Sequence, residues 1–319
     1  MGGLALKTWA STRPGSPETE VGSAFPYERR YVSVEGSRIS YVDEGTGAPI
    51  VLLHGNPTSK YMWRNVLPYI ARVGRAIAPD LVGMGDSDKP PIAYRFGDHA
   101  RYFRGFVEAL GLQGITLVVH DWGSAVGFDF AANHVDSVRA VAFMEAIVGP
   151  MHSRDYDPVT RALFARLRDP LRGRRMVEDH NFFVEWVLPM GTVRRLSSEE
   201  KLAYRAPFAL VRDRAVLTMF PRELPIDGSP PDVWAAAERW QSWLNTSPVP
   251  KLMIYASPGM SLRDRHVARL RATLPNLTTV DVGRGRHFIV EDHPRLIGES
   301  IASWFRARVS AAKAPEVDE

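Results

Sequence analysis

Apolar positions fall into two regimes along this 319-residue chain. Near the start, RRYVSVEG and SRISYVDEG alternate apolar and polar residues, and each ends in glycine. That is the pattern of an antiparallel pair with one buried face. From Pro49 onward, alternation gives way to short unbroken runs: PIVLLH, RAIAPD, ITLVVH, VAFMEA, KLMIYA and TTVDV. Most are separated by ten or more residues with helical spacing. A strand covered on both faces is apolar throughout, and helical crossovers between such strands make a parallel sheet. The pattern predicts an α/β fold with a mostly parallel, eight-stranded sheet and helices on both faces.

The rhythm breaks between Pro150 and about Pro230. Helical spacing continues there, with arginines and aromatics but no strand pattern. An all-helical insertion between sheet strands reads as a cap over the carboxyl edge of the sheet, where open α/β sheets bind ligands. The expected organisation is a core of residues 25–149 and 231–308 with a helical cap of residues 150–230. Residues 1–24 and 309–319, rich in small, polar and charged residues, are expected to be mobile tails. Arg172, Arg174 and Arg175 are expected on a solvated helix face.

Composition narrows the chemistry. There is no cysteine, which excludes disulfides, thiolate catalysis and cysteine-ligated metal. The formal charge is +4, from 40 basic and 36 acidic residues. So even a balance gives no argument for nucleic acid or membrane partners. No apolar stretch suits a signal peptide or approaches the roughly 18 residues of a membrane span. A soluble cytoplasmic protein is expected. DLVGMGDSD, residues 80–88, is rich in glycine but lacks the Lys and Ser/Thr of a phosphate-binding loop, so it reads as a structural turn.

The strongest chemical signal is VVHDWGS, residues 118–124. A strand runs into Asp121 and a helical pattern follows at once, with Gly123 and Ser124 giving the backbone room. This resembles the nucleophile elbow of α/β-hydrolases, with Asp where Ser is usual. A carboxylate, with a reference pKa of about 3.9, is already ionised at neutral pH. It displaces a leaving group from an sp³ carbon without first losing a proton, giving an ester that water must hydrolyse. Helix capping is the plain alternative for such an Asp.

Ester hydrolysis needs a base. VGRGRHFIVEDHP supplies His287 in a tight, glycine-rich loop after the strand TTVDV, in the chain order nucleophile, acid, base. His293 reads as an exposed loop residue. A third residue must orient the base. Glu145, closing VAFMEA, is favoured over Asp264, which lies well past the end of KLMIYA. HGNPTS, residues 54–59, places Asn56 after the strand PIVLLH. The backbone N–H groups of Asn56 and Trp122 are the expected oxyanion-hole donors. Their side chains are also donors, able to hold a departing halide. An Asn-Pro turn and core packing are the plain alternatives for the two.

Together these residues resemble the haloalkane dehalogenases. Matching segments include HGNPTS–YMWRN, APDLVGMGDSDKP, VVHDWGSAVGFDF, FMEAIVGP, NFFVEWVLP, SPVPKLMIYASPG and HFIVEDHP, and run from about Phe25 to Trp304. The resemblance implies the α/β-hydrolase fold and a catalytic triad of Asp121, His287 and Glu145, with Asn56 and Trp122 binding halide. It places the substrate pocket at Ile147, Phe164, Phe183, Pro221 and Phe288. It implies hydrolysis of a small halogenated aliphatic substrate to an alcohol and a halide, for detoxification, in a monomer or small homo-oligomer with no cofactor or metal. Two departures stand out: Ser257 where relatives often carry a carboxylate, and a longer VGRGRH approach to the base.

Three other readings stay open. An epoxide hydrolase uses the same Asp and His with two cap tyrosines, for which Tyr156 and Tyr204 are available. A coelenterazine luciferase shares the NFFVE–VLP segment. A non-catalytic binding protein tends to lose the nucleophile or base, and both are present here.

Overall fold

The computed structural model describes residues 21–310. The first alternating segments form β1 (Arg30–Val34) and β2 (Ser37–Glu44), paired antiparallel. The unbroken apolar runs form β3 (Pro49–Leu53), β4 (Arg75–Pro79), β5 (Ile115–Asp121), β6 (Val138–Ala146), β7 (Lys251–Pro258) and β8 (Leu277–Gly285). Spatial order is β1-β2-β4-β3-β5-β6-β7-β8. β2 runs antiparallel to β1 and β4, and every other pairing is parallel. The central runs are those with no exposed surface, among them Ile50–Leu53 and Leu117–Val119, whereas the edge strand β8 is mostly part-exposed.

Helices flank the sheet in two packed groups. Trp122–Asn133 packs on Phe96–Ala109 and Pro231–Thr246, while Pro294–Trp304 packs on Leu67–Ile70, β7 and β8. After β3 the chain crosses outward to β4, and then returns to lay β5 on the other side of β3. That reversal opens a crevice between the loops after β3 and β5. The HGNP turn and the Asp121 elbow stand on its two sides.

After β6 the chain leaves the sheet, and an isolated bridge pairs Met151 with Ile226 where it returns. Between them lie the helices Pro158–Arg168, Ser198–Arg205 and Ala215–Glu223 and the π-helical turns Arg175–Asp179 and Phe183–Val187. Arg172, Arg174 and Arg175 are exposed. A buried charge cluster joins this insertion to the core. The Arg64 guanidinium binds Glu291 at 2.6 Å and Glu200 at 2.6 Å. Arg194 also reaches both carboxylates, and the Tyr204 hydroxyl donates to Glu291. Two positive and two negative groups cancel, and each charge has hydrogen-bonded partners, the condition under which burial is tolerated.

Three expectations need correction. The tail expectations for residues 1–20 and 311–319 lie outside the described residues. Within the described part, Gly22 and Ser23 are tied down by Arg64, Asn65 and Tyr61, and Val309 is buried. The glycine-rich approach to His287 is largely strand, because β8 runs on to Gly285, paired with β7 past a bulge. His293 is half-buried, its Nε2 bonded to the Arg284 carbonyl. Among the described residues, no helix is long and apolar enough to cross a membrane.

Candidate active site

Asp121 closes β5 with φ of 49°, and the helix Trp122–Asn133 begins at the next residue. This left-handed backbone is rare outside glycine and is held only where surrounding structure enforces it. The enforcement comes from close packing against the turn after β3. A Cβ on Gly123 would lie 2.4 Å from the Leu53 carbonyl oxygen, and one on Gly55 would lie 2.2 Å from Oδ1 of Asp121. Glycine is therefore needed at both positions. Ser124, by contrast, supplies a bond rather than room. Its hydroxyl donates to the Asp121 carbonyl and accepts from the N–H of Ile147.

The Asp121 carboxylate is shared between two sets of groups. Oδ1 accepts the backbone N–H of Asn56 at 2.7 Å. Oδ2 lies 3.3 Å from Nε2 of His287. Burial alone would raise the Asp121 pKa, but His287 and the Trp122 backbone N–H hold it below the usual carboxylate range. On the far side of the ring, Nδ1 of His287 lies 3.2 Å from Oε2 of Glu145. Burial disfavours the His287 cation, yet the carboxylates of Asp121 and Glu145 outweigh it and push its pKa up to about 10.

Glu145 is fully buried and also left-handed, with φ of 45°. The β5–β6 register moves from His120↔Met144 to Asp121↔Ala146, so Glu145 is the extra residue of a bulge. Bulges re-aim side chains, and this one turns the carboxylate toward the end of β7. There Glu145 accepts the backbone N–H groups of Met260 (3.0 Å), Ser261 (2.7 Å) and Leu262 (3.4 Å). Asp264 is not part of the assembly. It is exposed at the start of the helix Asp264–Thr273, accepting from Ser257 Oγ at 3.3 Å. The turn after β7 thus contributes backbone donors to an acid borne on β6.

Asn56 and Trp122 flank Asp121, and both are buried. The Trp122 ring packs against Phe220 at 5.3 Å and Phe96 at 6.3 Å between centroids. Sequence reasoning missed these two rings. Phe220 adjoins Pro221, and the apolar period of TMFP was the available signal.

The five expected pocket residues are distributed unevenly. Phe288 is fully buried, with its ring edge-on to His287 at 4.8 Å. Ile147 follows β6 and is bonded to Ser124. Phe183, buried in the insertion, packs against Phe182, while the half-buried Phe164 meets Tyr156. Pro221 is buried inside the helix Ala215–Glu223.

A sharp turn carrying a reactive side chain between a central strand and the helix behind it is how α/β-hydrolase-fold proteins present their chemistry. This chain has that architecture, and the family model described as alpha/beta hydrolase fold matches residues 48–294. It is 45% identical over 285 residues to the haloalkane dehalogenase of Sphingobium indicum, covering 88% of this chain and 95% of that one. Against the haloalkane dehalogenase of Bradyrhizobium diazoefficiens, identity is 42% over 291 residues, covering 87% and 94%. The crystal structure of the haloalkane dehalogenase from Bradyrhizobium elkani superposes with a TM-score of 0.87 at 42% identity, covering 89% of this chain and 99% of that one. The chain belongs to the haloalkane dehalogenase family.

Proposed function

We propose that this protein hydrolyses small haloalkanes to an alcohol and a halide, with Asp121 as nucleophile, His287 as base and Glu145 as its supporting acid. Oδ1 of Asp121 is engaged by the Asn56 backbone N–H, which leaves Oδ2 to attack the halogen-bearing carbon. The C–O bond forms as the C–halogen bond breaks, and the halide leaves with the bonding pair toward the Asn56 and Trp122 side chains. Oδ1 then becomes the ester carbonyl oxygen. It already accepts the Asn56 backbone N–H, so it is preorganised for the oxyanion that water attack creates.

Alkylation also prepares the base. The negative charge of Asp121 is one of the two that keep His287 protonated. Ester formation removes it and lowers the histidine's pKa, so Nε2 gives up its proton to solvent and, now bare, takes one from the attacking water. Glu145 stabilises the resulting imidazolium. Water adds to the carbonyl carbon, the tetrahedral intermediate expels the alcohol, and Asp121 is regenerated. Ile147, Phe164, Phe183, Pro221 and Phe288 are read as pocket walls, the protein as a cytoplasmic monomer or small homo-oligomer.

The observation that carries this reading is a carboxylate, rather than a hydroxyl, on the elbow, with its Oδ1 on the backbone N–H of Asn56. The epoxide hydrolase alternative loses support from Tyr204, whose hydroxyl is committed to Glu291 inside the charge cluster. Bromide and chloride release from a panel of terminal haloalkanes tests the proposal. The expected outcome is turnover by the parent and none by folded Asp121→Ala. His287→Phe should release one halide per enzyme and retain an alkyl adduct visible in the intact mass. Sustained turnover by Asp121→Ala, or unmodified His287→Phe after long incubation, overturns it.

A further inference from the structure

His120 immediately precedes Asp121 on β5 and is fully buried. Its Nε2 lies 2.8 Å from the main-chain carbonyl oxygen of His287. A carbonyl only accepts, so Nε2 carries the hydrogen, and Nδ1 is the bare nitrogen of a neutral ring. Burial keeps the ring neutral, holding its pKa down to about 4. Nδ1 has no partner. Leaving a buried polar atom unpaired costs about 1–3 kcal/mol. An apolar side chain would fill the end of β5 without that cost, so the useful contact is the one at Nε2.

That contact completes a clamp. The N–H groups of His287 and Phe288 both donate to the Gly191 carbonyl of the cap, at 3.0 and 2.9 Å. His120 holds the carbonyl at the other end of the His287 residue. The His287 side chain has Asp121 at Nε2 and Glu145 at Nδ1. If Asp121 becomes an alkyl ester, its hold on Nε2 weakens just as that nitrogen must aim at water. Orientation then rests on Glu145 and on the main-chain clamp.

We propose that His120 is a positioning residue for the ester-hydrolysis step: by anchoring the His287 carbonyl from the nucleophile strand, it keeps the base aimed after the first step has removed Asp121 from Nε2. This rests on the dehalogenase reading. Halide release uses Asp121 and the halide donors, and it does not need an aimed base. His120 therefore acts selectively on the second step.

The test is rapid-quench kinetics with a bromoalkane, following bromide release and the mass of the alkyl-enzyme in parallel. His120→Leu removes the donor while filling the space, and His120→Gln restores an N–H of similar reach. In folded His120→Leu, bromide release should stay near the parent's rate. Decay of the adduct should slow by about 10²-fold, the scale of a misplacement near 1 Å. His120→Gln should recover most of that loss. Equal slowing of both steps, unchanged decay, or a Gln variant no better than Leu overturns the proposal. If His120→Leu does not fold, His120→Asn takes its place, its amide being too short to reach the carbonyl, with the same outcomes. A parent that releases no bromide overturns the dehalogenase reading instead.

Discussion

Ser124 Oγ accepts a 2.8 Å hydrogen bond from the N–H of Ile147 while donating to the carbonyl of Asp121. One hydroxyl thus ties the elbow to the chain just beyond Glu145. The two acids bonded to His287 both sit on left-handed backbone, and this bridge braces the two turns against each other. Replacing Ser124 with Ala leaves the buried Ile147 N–H unpaired, for an expected loss of about 1–3 kcal/mol. Urea unfolding of Ser124→Ala measures it. A loss within about 0.5 kcal/mol, typical of an unremarkable surface change, would show that the bridge contributes nothing.

Glu145 and Asp264 can be separated by paired neutralisation. Glu145→Gln keeps the shape but removes the charge that steadies His287. Turnover should fall by roughly 10²-fold or more, in line with strong dependence on the orienting acid in comparable triads. Asp264→Asn touches only an exposed bond to Ser257 and should leave turnover near the parent's. The reverse ordering in steady-state assays would transfer the acid's role to the segment after β7.

The proposed halide donors, Asn56 and Trp122, are open to a direct optical test. In the proposed mechanism, negative charge develops beside Asp121, itself an anion, in a buried site where Coulomb terms are large. Donors aimed at such charge are worth roughly 10²–10³ in rate each. Asn56→Ala and Trp122→Leu should each slow halide release on that scale. Bromide titration should change the parent's tryptophan fluorescence and leave that of Trp122→Leu unresponsive. A parent insensitive to bromide, with both variants releasing halide at the parent's rate, would remove the halide site.

Stability should carry the signature of the charged base. Burial opposes the His287 cation, but Asp121 and Glu145 prevail, moving its pKa from 6.5 to about 10. Between these values the folded chain holds a proton that the unfolded chain has released, so stability declines as pH rises. The contribution is complete below pH 6.5 and is lost as pH passes through about 10. Chemical unfolding of the parent and of His287→Gln across this window should show a decline that is shallower in the variant. Parallel curves would mean that His287 is not held charged.

What sequence made legible was whatever depends on side-chain type at short range. The central strands were visible because burial on both faces demands unbroken apolar runs. Asp121 was visible because a strand, an acid and a helix meet within seven residues. The bulge at Glu145 was not, since a one-residue slip in register has no local signature. Nor were the three N–H groups of residues 260–262, because backbone donors belong to every sequence alike. The need for glycine at position 55 arises from a carboxylate 66 residues away, and Phe220 meets Trp122 across nearly a hundred residues. Such contacts follow from the finished packing rather than from neighbouring letters.

The cluster of Arg64, Arg194, Glu200 and Glu291 has a bearing on how such enzymes can be recombined. Its members come from the segment after the HGNP turn, from the insertion, and from the turn four residues beyond His287. A cap grafted from another scaffold would bring its own partners for Arg64 and Glu291, or strand both in the dry seam. A stranded buried charge costs about 3–5 kcal/mol, a large share of a typical domain's stability. In chimeras of this family, the crossover points that preserve all four residues as one inherited unit are the ones expected to yield folded enzymes.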